Sequence, residues 1–178
     1  MSNKAKMATV WLDGCSGCHM SFLDIDERLI DLAELADLVY SPLVDPKEFP
    51  DRVDVTLVEG AVSNEDDYHK ILKVRQHTKI LVSLGDCAVT ANVPGMRNPF
   101  KVESLYNRAY IENADLNQHI PVQVIPPLRP MSVPVHHIVP VDVFVPGCPP
   151  SANTIFYVVT ELLAGRKPDL TGKTRFGA

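Results

Sequence analysis

An open, mostly parallel α/β sheet with helices on both faces is the fold class this sequence predicts. Three observations point there: β-branched runs alternate with longer amphipathic stretches, turn residues separate them, and 46% hydrophobic against 22% charged residues suits one buried core. Met7–Leu12 (MATVWL) reads as a buried strand. A helix is expected over Ser16–Leu38, where Leu29, Leu32, Ala33 and Ala36 share a face and Asp24, Asp26, Glu27, Arg28 and Asp31 supply polar positions. A short strand at Leu38–Ser41 follows, then a longer one at Val53–Glu59 (VDVTLVE). Ser63 is expected to cap the next helix, with Glu65, Asp66 and Asp67 favouring its positive first turn. Lys79–Leu84 (KILVSL) and Val141–Val145 (VDVFV) complete the strands, and Ser151–Ala164 forms a helix stopped by Gly165. This order is flavodoxin-like, and residues 1–178 are expected to form a single domain.

One stretch breaks the rhythm. Val93–Pro140 holds eight of the 15 prolines, densest in IPPLRPMSVPVHH. So long a connection is either a surface excursion or a loop presented to another protein, which fixed proline angles make entropically cheaper. A net charge of -5 offers no basic footprint for nucleic acid. No apolar run approaches the roughly 20 residues that cross a bilayer. The start, MSNKAKMATVWLDGC, shows no apolar leader core, twin arginine or cleavage site, so a cytoplasmic location is expected.

In a reducing compartment four cysteines point to metal or redox chemistry more than to disulfides. Cys15 and Cys18 form a C-x-x-C pair just after the first strand; Cys87 and Cys148 each follow a later one. Carboxyl ends of parallel strands share one sheet edge, where such folds bind ligands, so the four thiols can converge. Gly14, Gly17, Gly85 and Gly147 permit tight backbone beside them, with amides aimed at sulfur. Four thiolates suit a [4Fe–4S] cluster, which accepts dispersed ligands, better than zinc, which usually takes two local knuckles. A zinc-binding module stays open, as does a thioredoxin-like thiol oxidoreductase using Cys15 and Cys18 alone.

GCSGCHMSFLD, VEGAV, LGDCAV and VPGCPP, in that order and each after a strand, resemble the small subunit of [NiFe] hydrogenases, most closely the short soluble type of the NAD-reducing (bidirectional) enzymes. The resemblance spans Val10 to Ala164. It implies a flavodoxin-like domain holding the proximal [4Fe–4S] cluster on Cys15, Cys18, Cys87 and Cys148, with the nickel–iron site in a large-subunit partner. It further implies electron transfer from H2 oxidation toward iron–sulfur and flavin diaphorase subunits that reduce NAD. Relatives with two further clusters carry a C-terminal domain and a twin-arginine leader; a chain ending at Ala178 with no more cysteines is expected to hold one cluster. The related complex I iron–sulfur subunit has adjacent cysteines where this chain has Cys15-Ser16-Gly17-Cys18, which favours the hydrogenase branch. FMN is a further cofactor the resemblance admits, although no phosphate-cradling signature is present.

Other positions around the thiols draw notice beside them. Gly14, Gly17 and Gly147 are expected to supply close backbone, and His19 a hydrogen bond to a cluster sulfur. Glu59 resembles the family's acidic position near the subunit interface, where it orders a loop or assists proton movement. His136 and His137 read as partly exposed residues, and Trp11 and Phe22 as core or interface.

Overall fold

The computed structural model describes residues 4–177. Its strands are β1 (Ala5–Trp11), β2 (Ala36–Tyr40), β3 (Val53–Glu59), β4 (Val62–Asn64), β5 (Thr78–Leu84), β6 (Leu128–Val133) and β7 (Val143–Val145). Its helices are α1 (Gly17–Leu23), α2 (Arg28–Leu35), α3 (Glu65–His77), α4 (Gly85–Thr90), α5 (Asn92–Gly95), α6 (Val102–Asn107) and α7 (Ala152–Leu163). Five strands pair in parallel, in the order β2-β1-β3-β5-β7. The chain runs outward from β1 to β2, then returns past β1 to β3, so strand order reverses beside β1.

Both faces of that sheet are covered, so every β3 residue but Asp54 is buried, the polar Thr56 and Glu59 included. On one face Met7, Val55, Leu57, Val82 and Val145 meet Phe22 of α1, Leu32 of α2 and Ile155, Val158 and Leu162 of α7. On the other, Ala8, Val10, Val58 and Leu81 meet Ile71 and Val74 of α3, Ala88 of α4 and Val135. Each Val, Leu, Ile, Phe or Met among them contributes about 1.5–3 kcal/mol when fully buried.

The structure departs from the sequence expectation in four places. The helix expected over Ser16–Leu38 is two short helices, because Asp26 takes a left-handed φ of 59° between them. Aspartate tolerates that geometry. Ala36 already belongs to β2. The α3 cap is Asn64, not Ser63: β4 pairs antiparallel with β6, which keeps Ser63 extended, and the Asn64 side chain accepts from the Asp67 N–H at 2.8 Å. β7 begins at Val143, after Pro140 and after Asp142, whose carboxylate accepts from the Leu81 N–H and from Arg75, each at 2.7 Å.

Residues 93–140 carry structure of their own. They hold α5, α6, a π-helical turn at Arg108–Glu112, β6 and a 3-10 turn at Val135–His137. Arg97 donates to the carbonyls of Ser63 (2.9 Å) and Arg129 (3.0 Å), and Asn98 and Ser132 exchange two hydrogen bonds of 2.8 Å. The excursion is thereby anchored to the start of α3.

Candidate metal centre

The turns after β1 and β3 are bound to each other. Leu12 donates to the Glu59 carbonyl at 2.9 Å, and Asp13 and Ala61 exchange backbone hydrogen bonds of 3.1 and 2.7 Å. Gly60, at φ 87°, passes so close that a Cβ would lie 2.7 Å from the Asp13 carbonyl oxygen, while one at Gly14 would meet the Gly60 Cα at 3.3 Å. Only bare backbone fits here. Ser16 then turns left-handed (φ 66°), and Met20 donates to its carbonyl at 3.0 Å as α1 begins. Cys15 thus lies exposed on the turn and Cys18 half-buried in the first turn of α1.

The other two thiols come from the far side of the sheet's centre. Cys87 sits in α4 directly after β5, and Cys148 on the loop between β7 and α7. Gly85 is where these segments cross. A Cβ there would collide with the Cys18 sulfur, and would stand 3.5 Å from the Gly147 carbonyl oxygen and 3.7 Å from Pro150 Cδ. The Ser21 hydroxyl donates to the Pro150 carbonyl at 2.5 Å, and the Asp86 N–H to the Gly147 carbonyl at 2.8 Å. One edge therefore carries all four thiols, on the ends of β1, β5 and β7, as the strand-end rule requires.

Their electrostatics agree with this proximity. Burial pushes the Cys18 thiol far up, and Glu59 and then the other three cysteines add to it. Cys87 is also raised, first by burial and then by Cys15, Cys148 and Glu59, while the Val93 N–H draws it back. Asn92 Nδ2 lies 3.6 Å from the Cys148 sulfur. Among the described residues no three His, Cys, Asp or Glu side chains are close enough to hold one metal ion. A zinc ion needs its thiolates within ~2.3 Å of one point, whereas a four-iron cubane spreads them over its corners. The thiol donor set, with the Cys18 sulfur seated where Gly85 has no side chain, fits such a cluster.

Behind the thiols lies a buried polar chain. Glu59, 2% exposed, accepts from the His19 N–H at 2.6 Å. The ring of His19 places Nδ1 3.0 Å from the same Glu59 oxygen and Nε2 2.9 Å from Thr9 Oγ1, which in turn donates to Ser41 at 2.8 Å. Of the two ring nitrogens only Nε2 is hydrogen-bonded, to Thr9 and not to a sulfur, while Nδ1 lies near Glu59 without donating to it, so the imidazole packs behind the C-x-x-C turn from inside the sheet. Glu59 orders that same turn by holding its backbone. His136 and His137 are exposed, with rings 4.7 Å apart, and His136 packs on Phe144. Partial burial and His137 lower the pKa of His136. Phe22 is core, and Trp11 is 44% exposed. Sequence reading missed Thr9, Ser21, Ser41, Asp86 and Asn92, whose partners are all distant along the chain. The acidic residue directly before Cys87 was the one local signal.

Residues 15–162 match the family model described as NADH ubiquinone oxidoreductase, 20 kDa subunit. The chain is 39% identical over 170 residues to a subunit of the F420-non-reducing hydrogenase (vhu) of Methanocaldococcus jannaschii, covering 94% of this chain and 59% of that one. It is 41% identical over 172 residues to the NAD-reducing hydrogenase HoxS subunit delta of Cupriavidus necator, covering 94% and 82%. It also matches a chain in the crystal structure of an NAD+-reducing [NiFe]-hydrogenase in the H2-reduced state, with a TM-score of 0.93, 38% identity and coverage of 98% and 99%. The chain thus spans about three fifths of the first relative and nearly all of the solved one.

Proposed function

The chain belongs to the family of the 20 kDa subunit of NADH ubiquinone oxidoreductase, among the small subunits of NAD-reducing hydrogenases, and from that premise we propose that it is an electron-relay subunit holding one [4Fe–4S] cluster on Cys15, Cys18, Cys87 and Cys148. The observation that carries this reading is the placement of all four cysteines at one sheet edge, with the Cys18 sulfur seated against Gly85. When bound, the cluster supplies one-electron transfer. The chain's residues do the rest. Gly60 and Gly85 let the turns close, Glu59 and His19 brace the C-x-x-C turn, and burial of Cys18 and Cys87 limits water.

In this reading a large-subunit partner holds the nickel–iron site where H2 is split. Iron–sulfur and flavin diaphorase subunits take the electrons on to NAD, in the cytoplasm. No described helix is long and apolar enough to cross a membrane. The β1–α1 turn, where a flavodoxin-like fold would seat a flavin phosphate, carries Cys15 and Cys18, and we therefore assign the site to the cluster, not to FMN.

The test is iron and acid-labile sulfide content of anaerobically purified protein, co-expressed with its neighbours, beside an optical spectrum before and after dithionite. About four iron and four sulfide per chain, with absorbance that bleaches, is the expected result. Cys148→Ser should lose that content and the coupling of H2 oxidation to NAD reduction. One zinc and no sulfide would replace this reading with a structural site, and thiol activity that survives Cys87→Ala would replace it with a dithiol oxidoreductase.

A further inference from the structure

We propose that Asp86 is a positioning residue that clasps the Cys148 loop and the C-terminal segment to the β5–α4 turn, closing the metal site from behind. This rests on the four-cysteine reading for its meaning, though not for its geometry. Asp86 is 4% exposed, and both its carboxylate oxygens are used. Oδ1 accepts from the Gly147 N–H at 2.7 Å, and Oδ2 from the Gly177 N–H at 2.6 Å. Its own N–H donates to the Gly147 carbonyl at 2.8 Å, so the peptide before Cys148 is held on both sides.

The C-terminal segment arrives by a defined path. The Asp169 N–H donates to the Tyr157 hydroxyl at 3.2 Å, and Thr154 Oγ1 donates to the Lys173 carbonyl at 2.9 Å. Lys173 Nζ stands 4.6 Å above the Tyr157 ring. Residues 172–175 then face Gly147, Pro149 and Pro150 across a cavity of about 340 Å³, and the segment ends on Asp86. A buried carboxylate is stable only with its lone pairs filled, and here two backbone N–H groups from distant segments fill them. Among the described residues no Lys, Arg or His pairs with Asp86, which lies one residue from Cys87.

Asp86→Asn keeps the shape but can accept at one oxygen only, leaving an NH2 against one of the two N–H donors. It also replaces an acidic group one residue from Cys87 with a neutral amide. The experiment compares wild type, Asp86→Asn and Gly177→Pro in the anaerobically purified complex, by hydrogen exchange of residues 146–151 and 168–177, iron and sulfide content, and midpoint potential. In Asp86→Asn we expect exchange in at least one segment faster by on the order of tenfold, and a more positive potential. Gly177→Pro leaves Asp86 intact while removing the tail's donor and, because Gly177 sits at φ 68°, its left-handed turn. It should free residues 168–177 with iron content unchanged, and it keeps the test alive if Asp86→Asn does not fold. Wild-type exchange in both variants, or an unmoved potential in a loaded Asp86→Asn protein, overturns the proposal. Absence of iron and sulfide from the wild type overturns the four-cysteine reading instead, and leaves the exchange comparison to judge the clasp.

Discussion

Gly85 and Gly165 both have positive φ, 82° and 72°, yet they answer to different constraints. At Gly165 nothing lies within 4 Å of an added Cβ. Gly165→Ala therefore meets only left-handed backbone strain, a loss of about 1–2 kcal/mol in urea unfolding with metal content unchanged. At Gly85 the Cβ takes the place of the Cys18 sulfur. Gly85→Ala should cost the protein most of its iron and sulfide, beyond what strain explains. Equal iron in the two variants would show that the Cys18 thiol is not confined by the β5–α4 turn. Proximity in sequence did not reveal this pair: Cys18 and Gly85 meet only because β1, β3 and β5 lie side by side.

The start of α3 shows how an element's ends carry charge. Asp67 is buried, and its carboxylate accepts from Asn64 Nδ2 at 2.8 Å. Burial pushes its pKa up, with the Ser63 N–H and Lys70 pulling the other way. For a carboxyl raised in the folded state, the stabilising contribution is whole below the unfolded value of about 4 and is lost as pH rises through the folded value. Relative to wild type, Asp67→Asn should gain stability as pH rises from about 4 to about 7, read as a difference in urea midpoints. A difference that does not change with pH contradicts the buried ionised carboxylate. At this scale much was legible. β3 lies at Val53–Glu59, as its β-branched residues predict, since Val53, Val55, Thr56 and Val58 favour extended backbone. The Ser151 cap and Gly165 stop of α7 are local chemistry and can be read directly. The cap of α3 falls one residue later than local chemistry suggests because pairing of β4 with β6, across more than 60 residues of chain, decides where extension ends. The break at Asp26 is hidden because the apolar spacing of α2 continues the phase of α1.

Taken whole, the molecule gathers the ends of β1, β3, β5 and β7, which are consecutive neighbours in the sheet, onto one edge. That much of the candidate site was readable in the sequence, because the carboxyl ends of parallel strands share one edge whatever their order. The bracing by His19, Glu59 and Thr9 was not, since each partner lies on a different strand or turn. The gathering has a thermodynamic consequence. A group bound by all four thiols ties three separate loops together, and whatever binds the native state alone stabilises it by mass action. The loaded protein should therefore unfold at higher urea than protein stripped by chelator under oxidation. Loss of one ligand should remove the whole difference and not a quarter of it, because a group that takes four thiolates is not retained by three. Urea midpoints for loaded and stripped wild type, set beside those for Cys15→Ala, decide the matter. A partial difference surviving in Cys15→Ala would mean that Cys18, Cys87 and Cys148 hold the group without the exposed cysteine of the pair.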